Sequence, residues 1–151
     1  MSLAFTCPAE PDTRGVGRRL AGLLRPGDVV LLAGDLGAGK TVFASGVAEG
    51  LGVAEQVVSP SFVLARRYEG LMCLIHADLY RLESSGEVED LDLVSAAEEG
   101  VLVVEWGEAV EHSFPEDHLL VRLEAGEDGT RVVSLIPKGA WRSRPLEELA
   151  G

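Results

Sequence analysis

The stretch Gly34-Asp35-Leu36-Gly37-Ala38-Gly39-Lys40-Thr41 satisfies G-x-x-x-x-G-K-[ST] at every required position. Each residue type in it answers a need of a bound phosphate. Glycines let successive backbone N–H groups converge on one anion, a helix N-terminus adds the positive end of its dipole, and the lysine reaches the terminal phosphates. The threonine offers its hydroxyl to a Mg²⁺ ion bridging the β and γ phosphates. The chain has only two lysines, Lys40 and Lys138, and one of them stands where a triphosphate needs it. The motif alone leaves ATPase, GTPase and kinase open. Because the chain contains no asparagine, the Asn-Lys-x-Asp guanine-reading motif of small GTPases is absent.

A phosphate loop of this kind works with an acid at the end of a neighbouring buried strand, which holds the metal through water or orients the attacking water. Two apolar runs end in such an acid: Met72 to Ala77 running into Asp78, and Val101 to Val104 running into Glu105. Either acid could instead cap the next helix at the surface. Both are candidates, Glu105 slightly ahead because its run is the more thoroughly apolar. His76, inside the first run, reads as a hydrogen-bonded structural histidine rather than a proton shuttle.

The elements that must position these groups are visible as periodicities. Val29 to Ala33 is a short continuous apolar run, read as a strand buried on both faces. Lys40 to about Gly50 should be a helix with Val42, Phe43, Val47 and Leu51 inward. Asp12 to Leu24 spaces Val16, Leu20, Leu23 and Leu24 as an amphipathic helix, stopped by Pro26-Gly27. Phe62 to Tyr68 and Met72 to Ala77 read as a hairpin, and the acidic stretch Gly86 to Gly100 as a solvated helix. His118 to Glu124 and Thr130 to Ile136 flank a Gly-rich turn and read as an antiparallel hairpin at the sheet edge. The expectation is an α/β fold of the P-loop NTPase type in three layers. Its sheet should be mainly parallel, with antiparallel hairpins at the edge. Residues 1–137 form a single domain in this reading, and the polar segment 138–151, with Trp141 its only large apolar anchor, docks loosely or frays.

At 151 residues, with 46% hydrophobic and 25% charged residues, the chain has the composition of one globular domain. A net charge of −12 repels nucleic-acid backbones and anionic lipid, so no strong direct nucleic-acid or membrane binding is expected. Cys7 and Cys73 have no cysteine neighbours, so neither a zinc knuckle nor a disulfide framework is indicated, and a reducing compartment is the simplest reading. The first residues carry no positive charge ahead of an apolar stretch, and no run approaches membrane-spanning length. A cytoplasmic protein is expected.

Four stretches together carry a resemblance: Gly34 to Thr41, Val58-Ser59-Pro60-Ser61-Phe62, His76-Ala77-Asp78-Leu79-Tyr80-Arg81-Leu82, and Val104-Glu105-Trp106-Gly107-Glu108. In order, spacing and total length they resemble the signature of the TsaE (formerly YjeE) family, over roughly residues 5–137. The resemblance implies a bacterial ATPase that binds ATP and Mg²⁺ and hydrolyses ATP slowly. It implies a requirement for threonylcarbamoylation of the adenosine next to the anticodon in tRNA, through the partner proteins TsaB and TsaD. On it, Lys40 and Thr41 keep their phosphate-loop roles, and Ser59 to Phe62 resembles a mobile switch-like loop. Asp78 resembles the Walker B acid, Glu105 a second acid for metal binding and hydrolysis, and Trp106 the tryptophan beside it. Thr13 and Arg131 fall where the family lines its adenine pocket, while Tyr80 and Arg81 suggest a partner contact. Val42 and Ser61 depart from the threonines common at those positions; the serine keeps a hydroxyl and the valine does not. A small-molecule kinase with the same phosphate loop and a nucleotide-gated binding module are the alternative functions.

Overall fold

The computed structural model describes residues 2–35, 37–57, 65–79, 92–106 and 111–150. Leu36, the Ser59 to Phe62 loop, Tyr80, Arg81, Gly107, Glu108 and the acidic stretch up to residue 91 lie outside them.

The run expected to be buried on both faces is β2 (Asp28–Ala33), every residue of which is buried. Val30 and Leu32 join the apolar cluster under the two long helices, while Val29, Leu31 and Ala33 join a second cluster with Leu93, Ala97 and Phe114. This alternation makes three layers. Those long helices are α1 (Glu10–Ala21) and α2 (Lys40–Gly50). Helix α1 starts two residues earlier than its apolar spacing shows, because the Asp12 carboxylate accepts the Ala9 N–H at 2.9 Å and Pro11 suits the first turn. It also ends earlier, and Leu24 is buried in the turn beyond it. In α2, Phe43, Val47 and Leu51 are buried as expected, whereas Val42 is only half-buried and lines a cleft.

The other strands are β1 (Leu3–Cys7), β3 (Ala65–Tyr68), β4 (Leu74–Asp78), β5 (Val101–Glu105), β6 (His118–Ala125) and β7 (Arg131–Lys138), with one helical turn, α3 (Leu93–Ala96), before β5. The seven-stranded sheet has the order β1-β7-β6-β2-β5-β4-β3. Its centre, β6-β2-β5-β4, is parallel; β3 pairs antiparallel with β4, and β7 with both β6 and β1. The protein is thus of the expected α/β class, with antiparallel margins on a parallel core. The hairpin β6–β7 does not itself form the edge: β1 pairs outside it, with Leu3, Phe5 and Cys7 turned toward the core.

Helices α1 and α2 meet backbone to backbone. A Cβ on Gly17 would strike the Phe43 carbonyl, one on Gly46 the Arg14 carbonyl, and one on Gly50 the Arg18 carbonyl. The close approach fixes α2, from Phe43 to Gly50, against α1 from Arg14 to Arg18.

The segment after Lys138 is firmly packed rather than loose. Two 3₁₀ turns, Gly139–Ser143 and Leu146–Ala150, bury Trp141, Leu146 and Leu149 in the cluster beneath α1. Arg144 forks onto the buried Asp28 carboxylate at 2.7 and 2.8 Å and stacks on Trp141, and Arg19 donates to the Leu149 carbonyl at 2.7 Å. No helix among the described residues is long and apolar enough to cross a membrane.

Candidate functional site

Strands β2, β5 and β4 are neighbours and parallel, so their C-terminal ends open on the same rim of the sheet, where ligands of such folds bind. The chain leaves β2 into the Gly-rich loop, β5 ends at Glu105, and β4 ends at Asp78. In register, Glu105 lies beside Leu32 on one side and Asp78 on the other. The cleft above them encloses about 330 Å³ and is lined by Gly37, Gly39, Lys40, Thr41, Asp78, Glu105 and Trp106, with Thr13 and Arg131 on the far wall.

Lys40 is 5% exposed. A buried ammonium needs compensation, and its Nζ donates to the carbonyls of Gly34 at 2.6 Å and Asp35 at 2.8 Å, 3.9 Å from the centre of the Trp106 ring. Helix α2 begins at this point from Gly39, whose φ of 104° suits glycine and which brings no side-chain cap. There is no acid in its first turn, so the positive end of the dipole faces the cleft unopposed by its own helix. Trp106 has a φ of 66°, unusual for a bulky residue and held by its N–H bond to the Leu32 carbonyl.

Glu105 is 4% exposed and its carboxylate is shared. It accepts the Thr41 hydroxyl at 3.1 and 3.3 Å, and His76 Nε2 lies 2.6 Å from its Oε2. His76 is fully buried and hydrogen-bonded, and its partner is the candidate acid itself. Asp78 lines the cleft half-buried, one strand further from the loop.

Thr13 is buried, and its Oγ1 has no hydrogen-bond partner among the described residues. Arg131 donates to the carbonyls of Gly129 at 2.8 Å and Gly37 at 3.0 Å, tying the β6–β7 turn to the crest of the loop. Gly34, Asp35 and Ala38 do not line this cleft. They border a groove on the other side of the loop with Arg122 to Ala125, where a Cβ on Gly34 would strike the Leu123 carbonyl. Ala9, Glu10, Val42 and Gly129 also line the cleft. Sequence reasoning did not single out Ala9, Glu10 or Gly129 for the site, and Val42 was expected to face inward. Glu10 had one usable signal, its place one turn before Thr13 on a helix that had to run toward the loop.

The chain is similar to proteins of one family throughout. The family profile described as "Threonylcarbamoyl adenosine biosynthesis protein TsaE" matches residues 7–133. A relative from Streptomyces coelicolor, named "tRNA threonylcarbamoyladenosine biosynthesis protein TsaE", is 44% identical over 147 residues, spanning 91% of this chain and 99% of the relative. A Bacillus subtilis relative of the same name is 38% identical, over 92% of this chain and 88% of its own length. Among solved structures, "Crystal structure of Bacillus subtilus YdiB" superposes with a TM-score of 0.82 at 31% identity, covering 99% of this chain and 95% of that one. A profile match over most of the chain and these identities agree with the four sequence stretches and with the fold, and the chain belongs to the TsaE family.

Proposed function

We propose that the protein is a Mg²⁺-dependent ATPase of tRNA threonylcarbamoyladenosine biosynthesis. In this reading it acts in the cytoplasm through TsaB and TsaD on the modification of the adenosine next to the anticodon. The observation that carries the site is the pairing of Thr41 with Glu105, 3.1 Å apart, in the cleft that also holds Lys40 and Asp78. The family names of the relatives supply the pathway.

The residues fit both groups. Thr41, Asp78 and Glu105 present the hard oxygen donors that Mg²⁺ selects, directly or through water. Thr13 is a buried hydroxyl residue on the cleft wall where the resemblance places the base, beside the Cys7 thiol. Bound Mg²⁺ would supply neutralisation of the charge on the β and γ phosphates.

The chain's own groups do the rest. Lys40 exchanges its carbonyl partners for phosphate oxygens, a change between acceptors that keeps the ammonium paired throughout. Thr41 directs its proton to Glu105, which leaves its oxygen lone pairs to face a cation. Glu105 is the acid that would hold the metal through water or orient an attacking water, and Asp78 would share the cation from the next strand. Arg131, the arginine of the cleft wall, is already committed to two carbonyls. Slow hydrolysis by the protein alone is expected, since phosphate-loop enzymes turn over poorly until an arginine is supplied to the phosphates. The net charge of −12 favours contact with proteins over direct contact with tRNA.

Phosphate release from ATP, measured with and without Mg²⁺ and with and without TsaB and TsaD, tests the proposal, with Lys40→Ala as the blank. Slow Mg²⁺-dependent release that rises with the partners and vanishes in the variant is expected. Release indifferent to Lys40, or ATP consumed without free phosphate appearing, would overturn it, the latter in favour of a kinase.

A further inference from the structure

His76 is an expensive residue for the middle of a buried sheet. It is 0% exposed in β4, with Leu74 and Asp78 on the same face of the strand. Among the described residues its ring makes one hydrogen bond, from Nε2 to Glu105 Oε2 at 2.6 Å, and Nδ1 has no partner. A carboxylate only accepts, so the ring nitrogen facing it donates, and Nδ1 is left without a partner among the described residues. An apolar residue would fill this position without leaving an unpaired nitrogen. What the histidine adds is a single directed donor.

The acceptor is no ordinary carboxylate. Glu105 Oε2 also receives the Thr41 hydroxyl, at 3.1 Å, so His76, Glu105 and Thr41 form a continuous chain from the sheet interior to the first turn of α2. A glutamate side chain has three rotatable bonds, and one hydroxyl contact cannot fix them. A second donor from a rigid ring on a central strand can.

We propose that His76 is a positioning residue: its Nε2–H fixes the Glu105 carboxylate against Thr41, so that the metal-binding end of the cleft is set before nucleotide arrives. This rests on the reading of the cleft as a Mg²⁺-ATP site and assigns His76 no contact with the nucleotide. Partners that orient metal-binding groups from behind typically change metal affinity or activity by roughly 10- to 100-fold.

Three variants separate positioning from packing. His76→Gln returns an amide N–H at the same number of bonds from the backbone as Nε2, His76→Asn offers one only at the distance of Nδ1, and His76→Leu removes the donor. The expected result is that His76→Leu and His76→Asn raise the Mg²⁺ concentration needed for half-maximal ATP hydrolysis by roughly 10- to 100-fold, while ATP affinity measured in EDTA is unchanged. His76→Gln recovers most of the loss, and in a Glu105→Gln background the His76 substitutions add nothing further. In the free protein, NMR should show a protected His76 ring N–H that is lost in Glu105→Ala, a readout that needs neither nucleotide nor turnover.

An active wild type with His76→Leu indistinguishable from it overturns the role of His76 and leaves the site reading standing. Equal impairment of Asn and Gln together with lost ATP affinity in EDTA shows packing alone and also overturns it. If His76→Leu does not fold, the Asn and Gln pair and the NMR signal decide. A wild type that neither binds nor hydrolyses Mg²⁺-ATP overturns the site reading, and this inference with it.

Discussion

Replacing Arg144 by methionine should unfold the protein more readily than any loss of surface charge. The Arg144 guanidinium places Nη1 and Nη2 2.7 and 2.8 Å from the two Asp28 oxygens, and Nη1 also donates to the Leu23 carbonyl at 3.1 Å. The two side chains are 14% and 9% exposed, so the pair is largely screened from water. Methionine keeps the apolar stem over Trp141 but strands the Asp28 carboxylate with one remaining donor among the described residues, the Arg25 N–H at 2.7 Å. Breaking a buried pair costs about 3–5 kcal/mol, and the retained N–H argues for the lower end, about 3 kcal/mol. With a urea slope of about 2 kcal/mol/M, the midpoint falls by about 1.5 M. The melting temperature falls by roughly 6–12 °C for a domain of this size. Urea titration followed by far-ultraviolet circular dichroism measures the midpoint. Asp28→Asn in the same chain removes the stranded charge and should cost less in combination than Arg144→Met alone. A single variant within about 0.5 kcal/mol of wild type would refute the reasoning, because the segment after Lys138 would then not be coupled to β2.

Gly46→Ala should cost about 1–3 kcal/mol through overpacking, since the new methyl meets the Arg14 carbonyl; an unchanged urea midpoint would mean that the helices part at no cost. Cys7 and Cys73 are 1% and 8% exposed, and burial pushes the Cys7 thiol up from its ordinary value. Neither should react with Ellman's reagent in the native state, and both should in denaturant; prompt reaction of Cys7 in the native state would contradict the packing of β1. The Asp128 carboxyl is held below its usual range, chiefly by the Thr130 backbone N–H at 3.0 Å. Since the folded value is the lower one, its support for the β6–β7 turn is present at neutral pH and disappears as pH falls through that value. The Thr130 amide resonance should stay fixed down to the ordinary aspartate range and move only below it, and should be insensitive to acid in Asp128→Asn.

The phosphate loop was legible because its chemistry fixes residue identity at each position, and α2 because Lys40 and Gly50 mark its ends as well as its periodicity. Strands β2 and β5 showed themselves as continuous apolar runs, the mark of strands covered on both faces. Strand β1 escaped because its signal is three alternating residues, Leu3, Phe5 and Cys7, too few to stand out. The packing of the last residues escaped because Leu146 and Leu149 sit among acids and a proline, and their partners are on α1, far away in sequence. The choice between the two acids was the least legible. Both Asp78 and Glu105 end apolar runs, and only the strand order, which seats β5 directly beside β2, decides which carboxylate meets Thr41. His76 was read for its apolar surroundings, while its partner lay on another strand.

The scarcity of lysine divides the molecule for amine chemistry. Lys138 pairs across from His118 at the start of β6, and Lys40 follows the end of β2; because β2 and β6 are parallel and in register, the two amines stand at opposite ends of the sheet. The Lys138 side chain is 37% exposed, whereas Lys40 is 5% exposed. A succinimidyl dye under mild conditions therefore marks Lys138 ahead of Lys40 and leaves the cleft chemically intact. The acylation of Lys40, read by mass spectrometry, becomes a direct gauge of whether the loop is open.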